Sequence, residues 1–78
     1  MRRTIYVVSE LLPDGTTQAL FACKGDWDYL DRRIQRLINQ YSARDWDQVE
    51  EDGKRYFVLY TPYTEVWLQL QEVEYFEP

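Results

Sequence analysis

Two runs of alternating apolar residues near the N-terminus predict a β-hairpin. The segment Pro13-Asp14-Gly15 separates them and is typical of a turn, because proline presets φ and glycine accepts a positive φ. We therefore predict strands over residues 3–12 and 16–24. Ala19, Phe21 and Cys23 alternate along the second strand and are expected to share one face.

The period of the apolar pattern changes from two to between three and four after Gly25. A helix is predicted over residues 27–43, since its apolar residues form one stripe. These are Trp27, Leu30, Ile34, Leu37, Ile38 and Tyr41. Asp26 is suited to cap the N-terminus of this helix, and Asp28 and Asp31 lie near the positive end of its dipole.

A second hairpin is predicted over residues 45–51 and 54–61, with Asp52-Gly53 as its two-residue turn. The turn sets a register in which Glu51 lies opposite Lys54. The next pair along the strands, Glu50 with Arg55, also joins opposite charges, which supports the same alignment.

The last segment allows two interpretations. Val66, Leu68 and Leu70 alternate, which predicts a fifth strand over residues 66–73. Val66, Leu70 and Val73 also recur at the i, i+4, i+7 spacing of a helix, which Thr64 could cap. We take the strand as the prediction and keep a helix within residues 64–76 as the alternative.

These elements predict a single α+β domain over residues 1–78. Its order is β-β-α-β-β-β, and local hairpins imply an antiparallel sheet with one amphipathic helix packed on one face. The side expected to face the helix carries the following residues of the second half: Trp46, Phe57, Leu59, Val66, Leu68 and Leu70.

Composition argues against most enzyme chemistry. The 78 residues include no histidine and one cysteine, so no Ser-His or Cys-His nucleophile pair and no usual zinc set can form. The motif Asp26-x-Asp28-x-x-Asp31 lacks the glycine of a calcium loop. We expect no cofactor, no metal and no enzymatic activity. An enzyme that uses the carboxylates of Asp45 and Asp47 alone is a third interpretation.

The sequence contains 14 acidic and nine basic residues, which gives a formal net charge of −5. This balance disfavours nucleic acid as a ligand, because binding to phosphates relies on Lys and Arg. It is compatible with a protein partner that has a basic surface. The single cysteine indicates a reducing compartment, and the chain has no long apolar stretch. We expect no membrane association and a cytoplasmic location, including the cytoplasm of a host cell.

A candidate binding surface lies on the sheet face opposite the helix. Its expected partner-binding residues are three aromatic residues and an acidic hairpin tip: Tyr56, Tyr60, Trp67, Glu50, Glu51 and Asp52. Tyrosine and tryptophan are enriched in interfaces, where they anchor affinity. In the alternative interpretation Tyr60 and Trp67 pair across strands and only stabilise the sheet.

The leading hypothesis from these observations is a small, acidic, non-enzymatic protein-binding module. A sharper form is an inhibitor of the type encoded by phages and mobile elements. It would block a basic nucleic-acid-binding surface of a host defence complex, with carboxylates in place of phosphates. The alternative is a small accessory or regulatory subunit, or a structural homodimer that associates through the uncovered sheet face.

Overall fold

A computed structural model of the protein describes residues 2–76, and the side chains of all of these except Arg2 and Tyr75. The element order β-β-α-β-β-β is confirmed. The elements in chain order are β1 (Arg2–Leu11), β2 (Thr17–Lys24), α1 (Trp27–Gln40), β3 (Asp45–Glu51), β4 (Lys54–Tyr60) and β5 (Glu65–Phe76).

The strands form one five-stranded sheet in the order β2-β1-β5-β4-β3. Every neighbouring pair is antiparallel. The two edge strands, β2 and β3, therefore run in the same direction, and α1 connects them across one face of the sheet. The predicted α+β class and the packing of the helix are confirmed. Within residues 2–76, no helix has the length and apolar character needed to cross a membrane.

The second hairpin has the predicted register. Glu51 pairs with Lys54 and Glu50 with Arg55 along β3 and β4. The turn residues Asp52 and Gly53 both have a positive φ, at 53° and 75°. A two-residue turn of this kind matches the right-handed twist of the strands, which explains why the Asp-Gly pair fixes the alignment.

The first hairpin contains an irregularity that the pattern did not predict. Val8 pairs with Phe21, but the next residue of β1, Ser9, pairs with Ala19, so Leu20 is an extra residue in β2. This β-bulge shifts the alternation of side chains. The expectation that Ala19 shares a face with Phe21 and Cys23 is therefore wrong, since Ala19 lies with Ser9 on the other face.

The last segment is a strand, and the helix alternative for residues 64–76 is wrong. β5 pairs with β1 from Leu11↔Trp67 to Arg2↔Phe76, and with β4 from Tyr60↔Glu65 to Arg55↔Leu70. As a central strand, β5 forms backbone hydrogen bonds with a neighbour on each side. This pairing with distant segments decides for the strand, although the local apolar spacing also fits a helix. β5 is also longer than the predicted 66–73. Its pairing with β4 stops at Leu70, but its pairing with β1 continues to Phe76.

The core lies between α1 and the sheet face that the sequence assigns to it. The buried cluster comprises Val8, Cys23, Leu30, Ile34, Phe57, Leu59, Leu68 and Leu70, with Trp46 and Val66 packed against it. Asp26 caps the helix, and its side chain accepts a hydrogen bond from the Asp28 N–H at 3.0 Å. The helix ends at Gln40, earlier than predicted, because the chain turns at Ser42, which has a φ of 56°.

Candidate functional site

The sheet face opposite α1 brings the three predicted aromatic residues together. Alternation along β4 and β5 places Tyr56, Val58 and Tyr60 on the same side as Trp67, as predicted. Residues of the neighbouring strands complete this surface, which we call the open face: Ile5, Val7, Leu11 and Val49. No second helix is present in residues 2–76 to cover it.

The aromatic pair on the open face differs from the expected one. Trp67 packs edge-to-face against Tyr56, with ring centroids 5.4 Å apart and an interplanar angle of 69°. Tyr60 lies opposite Glu65. Between these rings Val58 is only 1% exposed, although it lies on the uncovered side of the sheet. The packing of Tyr56 and Trp67 therefore stabilises the sheet, and Tyr60 takes no part in this aromatic pair.

Polar groups on the open face are held by hydrogen bonds within the domain. The Tyr60 hydroxyl donates to Asp47 Oδ2 at 3.1 Å, and the Trp67 indole N–H donates to Glu65 Oε2 at 3.1 Å. Fixing a side chain in advance lowers the entropy that binding must remove. The rings are thus held in place by neighbouring carboxylates.

Negative charge accumulates around the Tyr60 hydroxyl. The pKa of Tyr60 is raised, first by its hydrogen bond to Asp47, next by partial burial, and then by the charges of Asp47, Glu65 and Asp45. All three carboxylates are exposed. We call these three residues the acidic cluster.

The predicted acidic residues lie at the other end of the β3–β4 hairpin. Glu51 is on the open face opposite Lys54, Glu50 pairs with Arg55 on the helix side, and Asp52 is in the turn. β4 runs from Lys54 to Tyr60, so the tip is about 20 Å from Tyr60 at the usual rise of a strand. Along the strand the tip is thus far from Tyr60, but Glu51 lines one cavity together with Trp67 and Glu65.

Sequence reasoning missed the contribution of Glu65. It placed Asp47 on the face opposite the helix but did not predict its hydrogen bond to Tyr60, and it considered Asp45 only as an acid–base group. The register of the second hairpin makes Asp47 a diagonal neighbour of Tyr60, so this contact could have been found from the sequence. Glu65 joins the cluster only because β5 pairs with β4, a choice that the periodicity of the last segment leaves open.

Sequence reasoning also missed Tyr63, which is 96% exposed in the loop between β4 and β5. Thr61 holds this loop: its N–H and its hydroxyl both donate to the Thr64 carbonyl, at 2.9 and 2.8 Å. The Thr64 N–H in turn donates to Thr61 Oγ1 at 3.0 Å. An aromatic residue within a Pro-containing turn was the available indication. Tyr63 is thus presented by an ordered loop at the Tyr60 end of the sheet.

The two carboxylates considered for acid–base chemistry, Asp45 and Asp47, each accept a hydrogen bond within the domain. Asp47 is engaged by Tyr60, and Asp45 Oδ1 accepts the N–H of Trp46 at 2.8 Å. Cys23 is buried on the helix side of the sheet, and burial raises the pKa of its thiol, which keeps it protonated. Among the described residues, no group of three or more His, Cys, Asp or Glu side chains could hold a metal ion.

Comparison with known proteins gives no match, whether to a protein-family model, to a curated protein or to a solved structure. The functional argument therefore depends on the residues of the open face and their surroundings.

Proposed function

We propose that this chain is a non-enzymatic protein-binding module that recognises a partner with a basic surface. The observation that carries the proposal is the placement of aromatic and acidic side chains at one end of the open face. Tyr60 and Trp67 are held there by Asp47 and Glu65, and Tyr63 projects from the adjoining loop. Aromatic anchors with a charged rim are typical of protein interfaces.

The charge of this region favours a basic protein over nucleic acid. The chain has a formal net charge of −5, and the acidic cluster concentrates negative charge beside the aromatic residues. Nucleic-acid binding would bring phosphates toward these carboxylates, which is unfavourable. A basic protein surface would gain from the same charges, mainly through faster association.

A finer form of the proposal is an inhibitor of the phage or mobile-element type that acts in the host cytoplasm. Its carboxylates would occupy a basic nucleic-acid-binding groove of a host defence complex in place of phosphates. Small size, acidic charge and the position of the acidic cluster support this form. An accessory or regulatory subunit with a basic partner would use the same surface, and a homodimer is the alternative that needs no second protein.

The proposal is tested with single substitutions on the open face. A partner is first isolated by affinity capture, and its binding is then measured by calorimetry. Tyr60→Ala and Trp67→Ala should each weaken binding by about 2 kcal/mol or more, as aromatic anchors do. Tyr29→Ala is the matched control, because Tyr29 is a partly exposed aromatic residue on α1. Circular dichroism verifies the fold of each variant.

Charge substitutions add a kinetic test of the same interface. Asp45→Lys and Glu51→Lys lie among the proposed partner-binding carboxylates, whereas Glu72→Lys makes the same charge change on the helix side of β5. We expect the first two variants to slow association more than Glu72→Lys and to reduce its salt dependence more, because charges near the interface steer encounter. Wild-type affinity in a folded Tyr60→Ala/Trp67→Ala double variant would exclude the open face as the binding site.

A further inference from the structure

An apolar groove lies beside the acidic cluster, at the end of the sheet. The residues after β1 approach the start of β5 there, and both segments contribute side chains. The apolar residues that line this groove, which we call the end groove, are Leu11, Leu12, Pro13, Val66 and Trp67. Thr64 also lines it and directly follows the exposed Tyr63.

Negative charge surrounds these apolar walls. Among the residues that the structure describes, the ionisable ones lining the end groove are three glutamates: Glu10, Glu51 and Glu65. The Tyr41 hydroxyl donates a hydrogen bond to Glu10 Oε1 at 3.2 Å, and the Trp67 indole N–H donates one to Glu65 Oε2 at 3.1 Å. Neutral donors of this kind fix a carboxylate without cancelling its charge.

Glu10 also affects the neighbouring Tyr41. Burial is the largest cause that raises the pKa of Tyr41, and the negative charge of Glu10 raises it further. The end groove therefore combines an apolar interior with fixed anionic groups at its margin. Such a site is complementary to an apolar side chain that has cationic neighbours.

We propose that the end groove binds a short segment of the partner in which an apolar anchor residue is flanked by Lys or Arg. The inference rests on the proposed function and specifies the partner's chemistry. The anchor would replace water against Leu12 and Val66. A flanking cation would meet Glu10 or Glu65, and the acidic cluster lies close enough along β4 and β5 to favour further basic residues.

Three probe peptides test this proposal in solution with the 78-residue chain. They are acetyl-Gly-Lys-Leu-Arg-Gly-amide, the same peptide with Ser in place of Leu, and the same peptide with Glu in place of both cations. Binding is followed by ¹H–¹⁵N NMR. The first peptide should shift the amides of Leu12, Thr64 and Val66 and the indole of Trp67. Its affinity should exceed that of the other two by about tenfold or more, since each lacks one of the two interactions.

Two pairs of variants assign the interactions. Leu12→Gln should weaken the first peptide by about tenfold. Leu20→Gln, at an exposed leucine on the β2 bulge, should leave its affinity unchanged. Glu65→Gln keeps an oxygen to accept the Trp67 N–H and removes the charge, so it should weaken binding and reduce its salt dependence. Glu72→Gln, at an exposed glutamate on the helix side of β5 and outside the groove lining, should have a smaller effect.

The proposal is overturned if these amides do not shift, or if the serine or acidic peptide binds as well as the first. Shifts that depend on protein concentration alone would assign the groove to a second copy of the chain and would also overturn it. The end groove and the proposed function can be tested separately, because they depend on different residues. A partner that is lost on Tyr60→Ala but unaffected by Leu12→Gln would retain the open face as the site and exclude the groove.

Discussion

Tyr60 lies at the centre of the acidic cluster on the open face. Its hydroxyl donates to Asp47, and this hydrogen bond is the largest cause of its raised pKa. A raised tyrosine pKa means that folding favours the neutral hydroxyl. The resulting contribution to stability is complete below the ordinary tyrosine pKa of 10.0 and is lost as the pH rises through the folded-state value.

The first prediction at this scale is that Asp47→Asn lowers the pKa of Tyr60. Asparagine still offers an oxygen to the hydroxyl, but the substitution removes the charged acceptor and one of the surrounding negative charges. The pKa is measured from the ¹³Cζ chemical shift of Tyr60 in an alkaline pH titration. Glu51→Gln removes a carboxylate from the same face near the hairpin tip and serves as the control. An unchanged Tyr60 pKa in Asp47→Asn would show that the hydrogen bond does not form in solution.

Some contacts of single residues could be predicted from the sequence, and others could not. The Asp52-Gly53 turn fixes the β3–β4 register, so the proximity of Asp47 to Tyr60 follows from local information. The bulge at Leu20 does not follow, because alternation of apolar residues in β2 fits a regular strand equally well. Gly25 is a similar case. A Cβ at this position would lie 2.7 Å from the Thr4 carbonyl oxygen, and that close approach depends on how β1 packs beside the end of β2.

In the helix, too, part of the structure follows from the local sequence and part depends on the packing of distant segments. The apolar stripe of α1 is confirmed, but its members are not equally buried: Leu30 and Ile34 are 0% and 1% exposed, whereas Trp27 is 41% exposed. α1 runs between opposite edges of the sheet, so its middle residues lie in the buried core cluster. The sequence identifies the stripe, and only the path of the helix across the sheet identifies its deepest positions.

A stability prediction follows from this gradient. Leu30→Ala should lower the free energy of unfolding by about 2–5 kcal/mol, because it removes contacts and leaves a cavity. Leu37→Ala should have a smaller effect, since Leu37 is only half-buried. Gln35→Ala, on the exposed side, should change stability by less than about 0.5 kcal/mol. Urea unfolding measures all three.

A domain of this size has a stability of roughly 3–5 kcal/mol, so Leu30→Ala could remain unfolded. Ile34→Val is therefore included as a milder change in the same cluster, with an expected loss of about 0.5–1.5 kcal/mol. Equal midpoints for Gln35→Ala and the two core variants would contradict the packing of α1.

The last strand explains why part of the candidate site was not predictable. Its apolar spacing fits a strand or a helix, and the choice depends on pairing with β1 and β4, which are distant in sequence or separated by a loop. Insertion of β5 between them brings Glu65 and Trp67 beside Tyr60. The aromatic face followed from alternation, but the position of the acidic cluster required the order of the strands.

Charge is distributed unevenly over the whole molecule. The acidic cluster combines two carboxylates of the β3 edge with Glu65 at the start of the central strand β5. At the opposite edge, Arg33 of α1 stacks over the ring of Phe21, 4.5 Å from its centroid, and Arg36 lines the same surface. The acidic cluster therefore lies on a different part of the surface from Arg33 and Arg36, and a basic partner would approach the open face at the acidic cluster.

The charges of the open face also bear on self-association. A symmetric dimer uses the same surface on both subunits, so a dimer through the open face would bring two acidic clusters into one interface. Each cluster contains Asp45, Asp47 and Glu65 around Tyr60. Like charges in a shared interface are unfavourable unless cations separate them. The β3 edge is charged along its length as well, which opposes strand pairing between copies.

We therefore predict that the protein is a monomer in solution at physiological salt. Light scattering coupled to size-exclusion chromatography should give the chain mass of 9.5 kDa. Asp47→Lys reduces the charge of the acidic cluster and should promote self-association relative to Glu51→Lys if repulsion is what keeps copies apart. A stable species of twice the chain mass that dissociates on Trp67→Ala would instead assign the open face to a homodimer. That result would contradict the proposal that this face is free to bind a basic partner.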